Sequence, residues 1–222
     1  MKPLFALLIF AFSLILTGCA KPTPVQSKDY SAFKESKPRS ILVLLPKNHS
    51  TDVDASHSFL SVVTHPLAEG GYYVFPVAVV EETFKQNGLS NAEDINAVSI
   101  TRLHQIFGAD AVLYLNVKEY GTSYQLINSD TRVSASARLV DLRTGKELWK
   151  KSATASSNEN DGNYNNGLLA MVVNAAIQQI VNTASNKSYE ISGITSARLL
   201  NAGSSGGLLY GPRSPEYAKA AM

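Results

Sequence analysis

A run of apolar residues lies between Pro38 and Pro46: Ser40-Ile41-Leu42-Val43-Leu44-Leu45. Successive side chains of a strand point to opposite faces of its sheet, so a strand that is apolar throughout needs cover on both faces. Such strands are typical of sheets that helices enclose. The run therefore predicts the central strand of a sheet in an α/β fold.

The residues after this strand predict elements in the order β-α-β-α-α. In the first helix, Asp52 or Asp54 is the expected N-cap. Pro66 is expected to end or restart this helix, because proline has no amide hydrogen, and Gly70-Gly71 terminates it. The first half of the chain is thus predicted to be βαβ-like. Its elements are a helix at Asp52–Glu69, a strand at Tyr72–Pro76, and helices at Val77–Gln86 and Ser99–Phe107.

The second half of the chain predicts an antiparallel meander. From Arg132 onwards polar and apolar residues alternate, which is the period of a strand with one wet face. Gly145 supplies the turn of a hairpin. With the first half, this predicts a two-layer sandwich around a mixed sheet. The elements are strands at Ala111–Val117, Tyr124–Asn128 (after a break at Gly121), Arg132–Leu142 and from Glu147, then a loop at Ser156–Asn166 and a long helix at Leu169–Ala184.

The N-terminal residues predict export. Lys2 precedes an apolar run from Leu4 to Leu16, which spans only about 20 Å as a helix and is too short for a bilayer core of about 30 Å. Leu16-Thr17-Gly18-Cys19 resembles the bacterial lipobox, in which the cysteine is lipidated and becomes the mature N-terminus. This resemblance implies a signal peptide at residues 1–18 and lipid on Cys19. The alternative is a chance cysteine in an ordinary secretory signal.

The residue after the cysteine bears on localisation. Ala20 stands where an Asp would resemble the inner-membrane retention signal, so the resemblance implies sorting to the outer membrane, with the domain facing the periplasm. The face of that membrane stays open. Residues 19–39 are predicted to be the lipidated Cys19 and a flexible tether, because Lys, Pro and Ser predominate. Residues 40–185 are then the globular domain.

The last segment, 186–222, contains a Gly-Ser run but also Ile191, Leu199, Leu200 and Leu208. These residues are too apolar for a solvated tail. We predict that this extension packs on its own domain or on a partner. A second copy of the chain is one such partner, which would make a homodimer.

Composition and motifs give little support for catalysis, a metal or nucleic acid. The formal net charge is +2 with no basic stripe, so nucleic acid is not an expected partner. The four histidines, His49, His57, His65 and His104, do not form a close metal-binding pair, and no cofactor is predicted. Glu81-Glu82 and Glu93-Asp94 are adjacent in sequence, so on a helix they diverge and do not form a paired acid and base.

One motif would suit an enzyme. Gly203-Ser204-Ser205-Gly206-Gly207 has the spacing of a nucleophile elbow, with Ser205 as the nucleophile. The elbow needs a strand before it and a helix after it, yet Gly211-Pro212 soon follows, and no histidine lies beyond His104. A linker is the favoured interpretation.

Four segments together resemble a family of bacterial lipoproteins typified by a neisserial vaccine antigen. Parts of them are also similar to the TolB N-terminal domain, the penicillin-binding-protein activator lipoproteins and CsgG. The resemblance implies a TolB N-terminal-domain-like fold, no enzymatic activity, and binding to other envelope proteins. The segments are Tyr72–Val77 with Glu82–Leu89, Phe107–Tyr114, Asp141–Trp149 and Tyr210–Pro212.

Together these observations predict a non-catalytic lipoprotein that acts as a protein-binding adaptor in envelope assembly or transport. The alternative is a lipoprotein that binds a small ligand or peptidoglycan. An exposed sheet edge or apolar patch would favour the first, and a deep pocket with converging polar groups the second.

Overall fold

Six strands form one mixed sheet in the computed structural model, which describes residues 28–124, 129–159 and 187–220. The strand order is β3-β1-β4-β5-β6, and β2 pairs with β4 beyond the end of β1. Pairing is parallel between β3, β1 and β4 and antiparallel between β4, β5 and β6, as predicted. The strands are β1 (Ser40–Val43), β2 (Lys47–Asn48), β3 (Tyr73–Val74), β4 (Ala111–Tyr124), β5 (Ser129–Asp141) and β6 (Glu147–Ser156).

The middle of this sheet is β4, so the prediction that the Ser40 strand is central was wrong. β4 is also longer than predicted, because Gly121 lies within the strand and does not interrupt it. The pairing of β4 with β5 shifts its register between Val117 and Glu119. The length of β4 lets it pair with β1 and β2 on one side and with β5 on the other.

Helices cover β1 from both sides. β1 leads through α2 to β3, and β3 leads through α3–α5 to β4, which lies on the other side of β1. Parallel crossovers are right-handed, so these two connections occupy opposite faces of the sheet. Residues 41–45 are accordingly all buried, as their sequence predicted. The helices are α1 (Ser31–Ser36), α2 (Ala55–Glu69), α3 (Val77–Gln86), α4 (Ala92–Ala97), α5 (Ile100–Phe107), α6 (Lys187–Leu200) and α7 (Tyr217–Ala220).

Pro66 lies inside α2, so the prediction that it ends or restarts the helix was wrong. Proline cannot donate to the carbonyl of Val62 one turn earlier. The hydroxyl of Ser196 on α6 donates to that carbonyl instead, at 3.0 Å. The helix therefore continues to Glu69 and ends at Gly70-Gly71, as predicted.

Residues 28–39 pack on the domain, so the prediction of a flexible tether was wrong for this part. Phe33 on α1 is buried, and the Tyr30 hydroxyl donates to the Gly207 carbonyl at 2.6 Å. Lys28 lies over the Trp149 ring, 4.9 Å from its centroid. The predicted signal peptide and Cys19 lie outside the described residues.

The C-terminal extension packs on its own chain. α6 lies against α2, β5 and β6, and its Leu199 and Leu200 are fully buried. The apolar residues on which the homodimer prediction depended are thus buried against their own chain. α6 belongs to the helical layer, so the predicted domain end at residue 185 was wrong. The loop residues 160–166 and the helix predicted at Leu169–Ala184 lie outside the described residues.

Asp141 joins α1 to the β5–β6 turn. Its carboxylate accepts hydrogen bonds from the Ser36 hydroxyl, the Arg143 guanidinium at 2.9 Å, and the Arg143 and Thr144 amides at 2.8 Å. Burial by itself raises the pKa of Asp141, but the hydrogen bonds from Arg143 and Ser36 and the amides outweigh it and lower the pKa to about 2. The carboxylate is therefore ionised and fixes the turn.

Candidate binding sites

The Ser205 motif is not a nucleophile elbow in the structure. It follows helix α6, whereas an elbow follows a strand, and no helix begins directly after it. Gly203 and Gly206 have positive φ, and Gly207 donates to the Ser204 carbonyl at 2.8 Å, which makes the segment a pair of turns. Ser205 itself is exposed.

The histidines and acidic pairs are dispersed, and two of the four histidines have hydrogen-bond partners. His57 Nε2 lies 3.1 Å from Glu81 Oε1, and His104 Nδ1 lies 2.9 Å from the Ala109 carbonyl. A hydrogen bond from Lys85 lowers the pKa of Glu81. Glu93 pairs with Lys47. In the ranges that the structure describes, no group of three or more His, Cys, Asp or Glu could hold a metal ion.

The outer side of β6 presents an edge of the sheet. No described strand pairs with it. The Lys28 ammonium donates to the Lys150 carbonyl, and the Arg198 guanidinium donates to the Thr154 carbonyl at 2.8 Å. Peptide groups alternate in direction along a strand, so the N–H and C=O of Ser152 point to this same outer side, between the two that are capped. β6 therefore offers a short edge for a further strand.

A cleft of about 370 Å³ lies between α1, the end of α2 and the C-terminal segment. We call it the tyrosine cleft, because three of the four rings that line it are tyrosines. Tyr72 is almost fully buried and donates to the Leu209 carbonyl, and burial raises its pKa. The lining residues are Phe33, Lys34, Lys37, Pro38, Tyr72, Leu209, Tyr210 and Tyr217.

Two glycines hold the C-terminal wall of this cleft against the end of α2. Gly211 donates to the Gly70 carbonyl at 2.7 Å, and Arg213 donates to the Gly71 carbonyl at 3.1 Å. A Cβ on Gly71 would lie 2.3 Å from the Ser214 nitrogen, and one on Gly211 would lie 2.6 Å from the Gly71 oxygen. Neither position can carry a side chain without moving this wall.

Unpaired polar groups line the tyrosine cleft. Within the described ranges, the ammonium groups of Lys34 and Lys37 and the hydroxyls of Tyr210 and Tyr217 have no hydrogen-bond or ion-pair partner. The two acidic residues nearest in sequence are engaged elsewhere. Glu35 pairs with Lys146 at 3.0 Å and Glu216 with Lys219 at 2.8 Å.

A larger hollow of about 770 Å³ lies at the opposite end of the sheet. Its lining includes Ser123 and Asp130, which flank residues outside the described ranges. The described residues therefore give only part of the lining of this hollow.

Comparison with known proteins decides the family. Residues 28–213 match the model of the GNA1162-like family, described as "Putative lipoprotein GNA1162-like". The chain belongs to this family. It is 53% identical over 216 residues to "Putative lipoprotein NMB1124/NMB1162" of Neisseria meningitidis serogroup B, covering 97% of this chain and 98% of that protein. The lipoprotein family that the sequence resembled is thus confirmed, and its description names no catalytic activity.

The solved structure of lipoprotein GNA1162 agrees with this membership. The crystal structure of lipoprotein GNA1162 from Neisseria meningitidis matches with a TM-score of 0.53 and 59% identity, over 66% of this chain and all of that one. The C-terminal domain of LpoB from Salmonella enterica matches at 16% identity with a TM-score of 0.40, over 54% of this chain and 83% of that one. The mixed α/β fold class is confirmed by the GNA1162 structure and by the sheet itself.

Sequence reasoning did not identify the tyrosine cleft. Its residues come from three segments far apart in the chain, and Phe33 and Lys34 lie where a tether was predicted. One signal was present, because Tyr210-Gly211-Pro212 was among the segments that carry the family resemblance. The structure explains this motif by the close contact of Gly211 with Gly71.

Proposed function

We propose that this lipoprotein is a non-catalytic adaptor, anchored to the outer membrane through lipid on Cys19 and facing the periplasm, that binds other proteins in envelope assembly or transport. The observation that supports this proposal is the outer side of β6, with which no strand of the described residues pairs. An extended peptide can add to such an edge through main-chain hydrogen bonds, with side-chain contacts giving specificity.

The outer edge of β6 can accept a partner strand only over a short length. Lys28 and Arg198 occupy two outward carbonyls, which leaves the peptide groups of Ser152 between them. Charged side chains at an edge oppose indiscriminate pairing between sheets. A partner strand must therefore be short, or must displace these cations with its own contacts.

The predicted anchor keeps this edge near the membrane. Lys28 follows Cys19 by nine positions. Nine residues span at most about 30 Å when extended and about 16 Å as a flexible coil. A partner within this reach is itself in the membrane or close to it.

A photo-crosslinking side chain at Lys150 tests the proposal in intact cells. This side chain is exposed and adjoins the edge, whereas Gln86, on α3, is an exposed control position. We expect a protein crosslinked from Lys150 and not from Gln86, and its loss when Ser152→Pro removes the outward N–H. Ser152→Ala keeps that N–H and should keep the crosslink.

Equal crosslinking from the two positions, or a crosslink that survives Ser152→Pro, would contradict strand addition at this edge. The anchor is tested separately. Labelled palmitate should enter the unchanged protein and fail to enter Cys19→Ala, and incorporation into the variant would exclude lipid on Cys19.

A second candidate function is the binding of a small ligand. The lining of the tyrosine cleft favours it, because ligand pockets combine apolar walls with a few polar groups, and Lys34, Lys37 and Tyr217 lie among the apolar residues that line this cleft. This function does not depend on the edge strand.

A further inference from the structure

We infer that the tyrosine cleft binds a small organic carboxylate whose ring-shaped body packs against the tyrosines while its anionic group is held by Lys34 and Lys37. The inference depends neither on partner binding at β6 nor on the lipid anchor. It concerns residues that the family description assigns no role.

The size and lining of the cleft set the body of the ligand. At about 370 Å³ the cleft is at the small end of ligand pockets, which measure about 300–1,000 Å³. Four aromatic residues, Phe33, Tyr72, Tyr210 and Tyr217, line the cleft, with Phe33 and Tyr72 each 3% exposed, and a ring of a ligand can pack against such aromatic walls. The Tyr217 hydroxyl has no hydrogen-bond partner among the described residues and can donate to a ring substituent.

The charges set the other end of the ligand. Lys34 and Lys37 lie three residues apart, at the end of α1 and just beyond it, and both line the cleft without a carboxylate partner among the described residues. Because Glu35 and Glu216 are paired with other lysines, these two positive charges are not neutralised locally. An anion that reaches both completes the site.

The backbone at Lys37 supports a role for its side chain. Lys37 has φ 46° and ψ 55°, and it is the one non-glycine residue of the described ranges with positive φ. A left-handed conformation costs a side-chain-bearing residue about 1 kcal/mol, and glycine is the usual residue at this position after a helix. Strain of this kind clusters at ligand sites. The residue here is an exposed lysine that lines the cleft.

Charge also argues against the chain's own preceding segment as the occupant. Residues 20–27 contain Lys21 and no acidic residue. This segment would bring a third positive charge to Lys34 and Lys37. A separate anionic molecule fits the cleft better.

The test uses the soluble chain from Ala20 to Met222, because every residue of the core cluster lies between Phe33 and Leu208. Amide chemical shifts are followed by NMR during titration with N-acetylmuramic acid, a carboxylated sugar, and with N-acetylglucosamine, the same ring without the carboxylate. 3-Phenylpropionate represents an aromatic carboxylate, so the two carboxylates distinguish a sugar source from an aromatic one.

We expect saturable shifts at residues 33–37 and 209–217 with at least one carboxylate and much weaker ones with N-acetylglucosamine. Lys34→Gln and Lys37→Gly should each weaken binding by about tenfold, the loss of one charged hydrogen bond. Lys37→Gly also relieves the backbone strain, so its melting temperature should not fall. Lys85→Gln, at an exposed lysine of α3, is the matched control and should bind normally.

Any of four results would overturn the inference. One is the absence of saturable binding by both carboxylates, another is equal binding of N-acetylglucosamine, and the third is unchanged affinity in the Lys34→Gln/Lys37→Gly double variant. Shifts of the cleft amides with protein concentration alone would also overturn it, because a second copy would then be the occupant.

Discussion

The edge strand and the tyrosine cleft differ in how the chain assembles them. β6 is one continuous segment whose partner β5 is its neighbour in sequence, joined through a turn that Asp141 and Gly145 fix. The cleft joins residues 33–38 to Tyr72 and to residues 209–217. The edge at β6 therefore depends on pairing between two strands that are neighbours in sequence. The cleft, in contrast, forms only when residues 33–38 and residues 209–217 have both packed against the region of Tyr72.

Deletion of residues 187–222 should have the largest effect, because it breaks both regions. It removes α6, which supports β5 and β6 with Leu199 and Leu200, and it removes the C-terminal wall of the cleft. We expect loss of cooperative thermal unfolding by circular dichroism. Deletion of residues 218–222 alone should shift stability by less than about 0.5 kcal/mol. A shortened chain, lacking residues 187–222, that still melts cooperatively would show that the core does not need α6.

Gly71→Ala should separate the two regions. The new Cβ would meet the Ser214 nitrogen at 2.3 Å, and φ is +90°, so we expect a loss of about 3 kcal/mol in unfolding free energy. Hydrogen exchange should quicken at residues 209–217 before it quickens in β6. Gly88→Ala is the control, because Gly88 also has positive φ but open space around it, and it should cost about 1 kcal/mol. Equal losses in the two variants would mean that the contact with Ser214 contributes nothing.

Asp141→Asn should affect both regions moderately, since Asp141 ties α1 to the β5–β6 turn. The folded pKa of about 2 is below the ordinary 3.8, so ionised Asp141 stabilises the fold by about 2 kcal/mol at neutral pH. That stability is complete above about pH 4 and is lost as the pH falls through 2. Urea unfolding from pH 7 to pH 2 should show wild type and variant converging at the acidic end. A difference that does not change with pH would contradict this account.

Ser152→Pro should have the smallest effect on the fold. The Ser152 N–H points to the outer side of β6, so proline there removes no hydrogen bond to β5, and we expect less than about 1 kcal/mol in chemical denaturation. Ala153→Pro is the control, because its N–H points to β5 and its loss should cost about 3 kcal/mol or more. If the two variants are equally unstable, the outer side of β6 is not a free edge.

The sequence predicted the elements whose signals are local. The polar and apolar alternation from Arg132 to Leu139 predicted β5, Gly145 predicted the hairpin turn, and the apolar run at residues 40–45 predicted a strand buried on both faces. α3 has the predicted bounds, Val77–Gln86. In each of these elements, the sequence signal that predicts the element lies in the residues that form it.

Long-range contacts explain what the sequence did not predict. Pro66 is accommodated within α2 because the hydroxyl of Ser196, on α6, donates a hydrogen bond to the Val62 carbonyl. Phe33 and Tyr30 are aromatic residues in a polar segment, and they pack on surfaces from distant parts of the chain, including β6 and Gly207. The residues that line the cleft come from three distant segments, so no short stretch of the sequence could have predicted it.

The contact between Lys28 and β6 has a mechanical consequence. The Lys28 ammonium donates to the Lys150 carbonyl, and its side chain lies over Trp149. If lipid on Cys19 anchors the protein as proposed, tension on the segment before Lys28 would reach the first half of β6 through this contact. Such tension would first loosen the cation that caps this edge, and so would expose one more carbonyl for pairing with a strand.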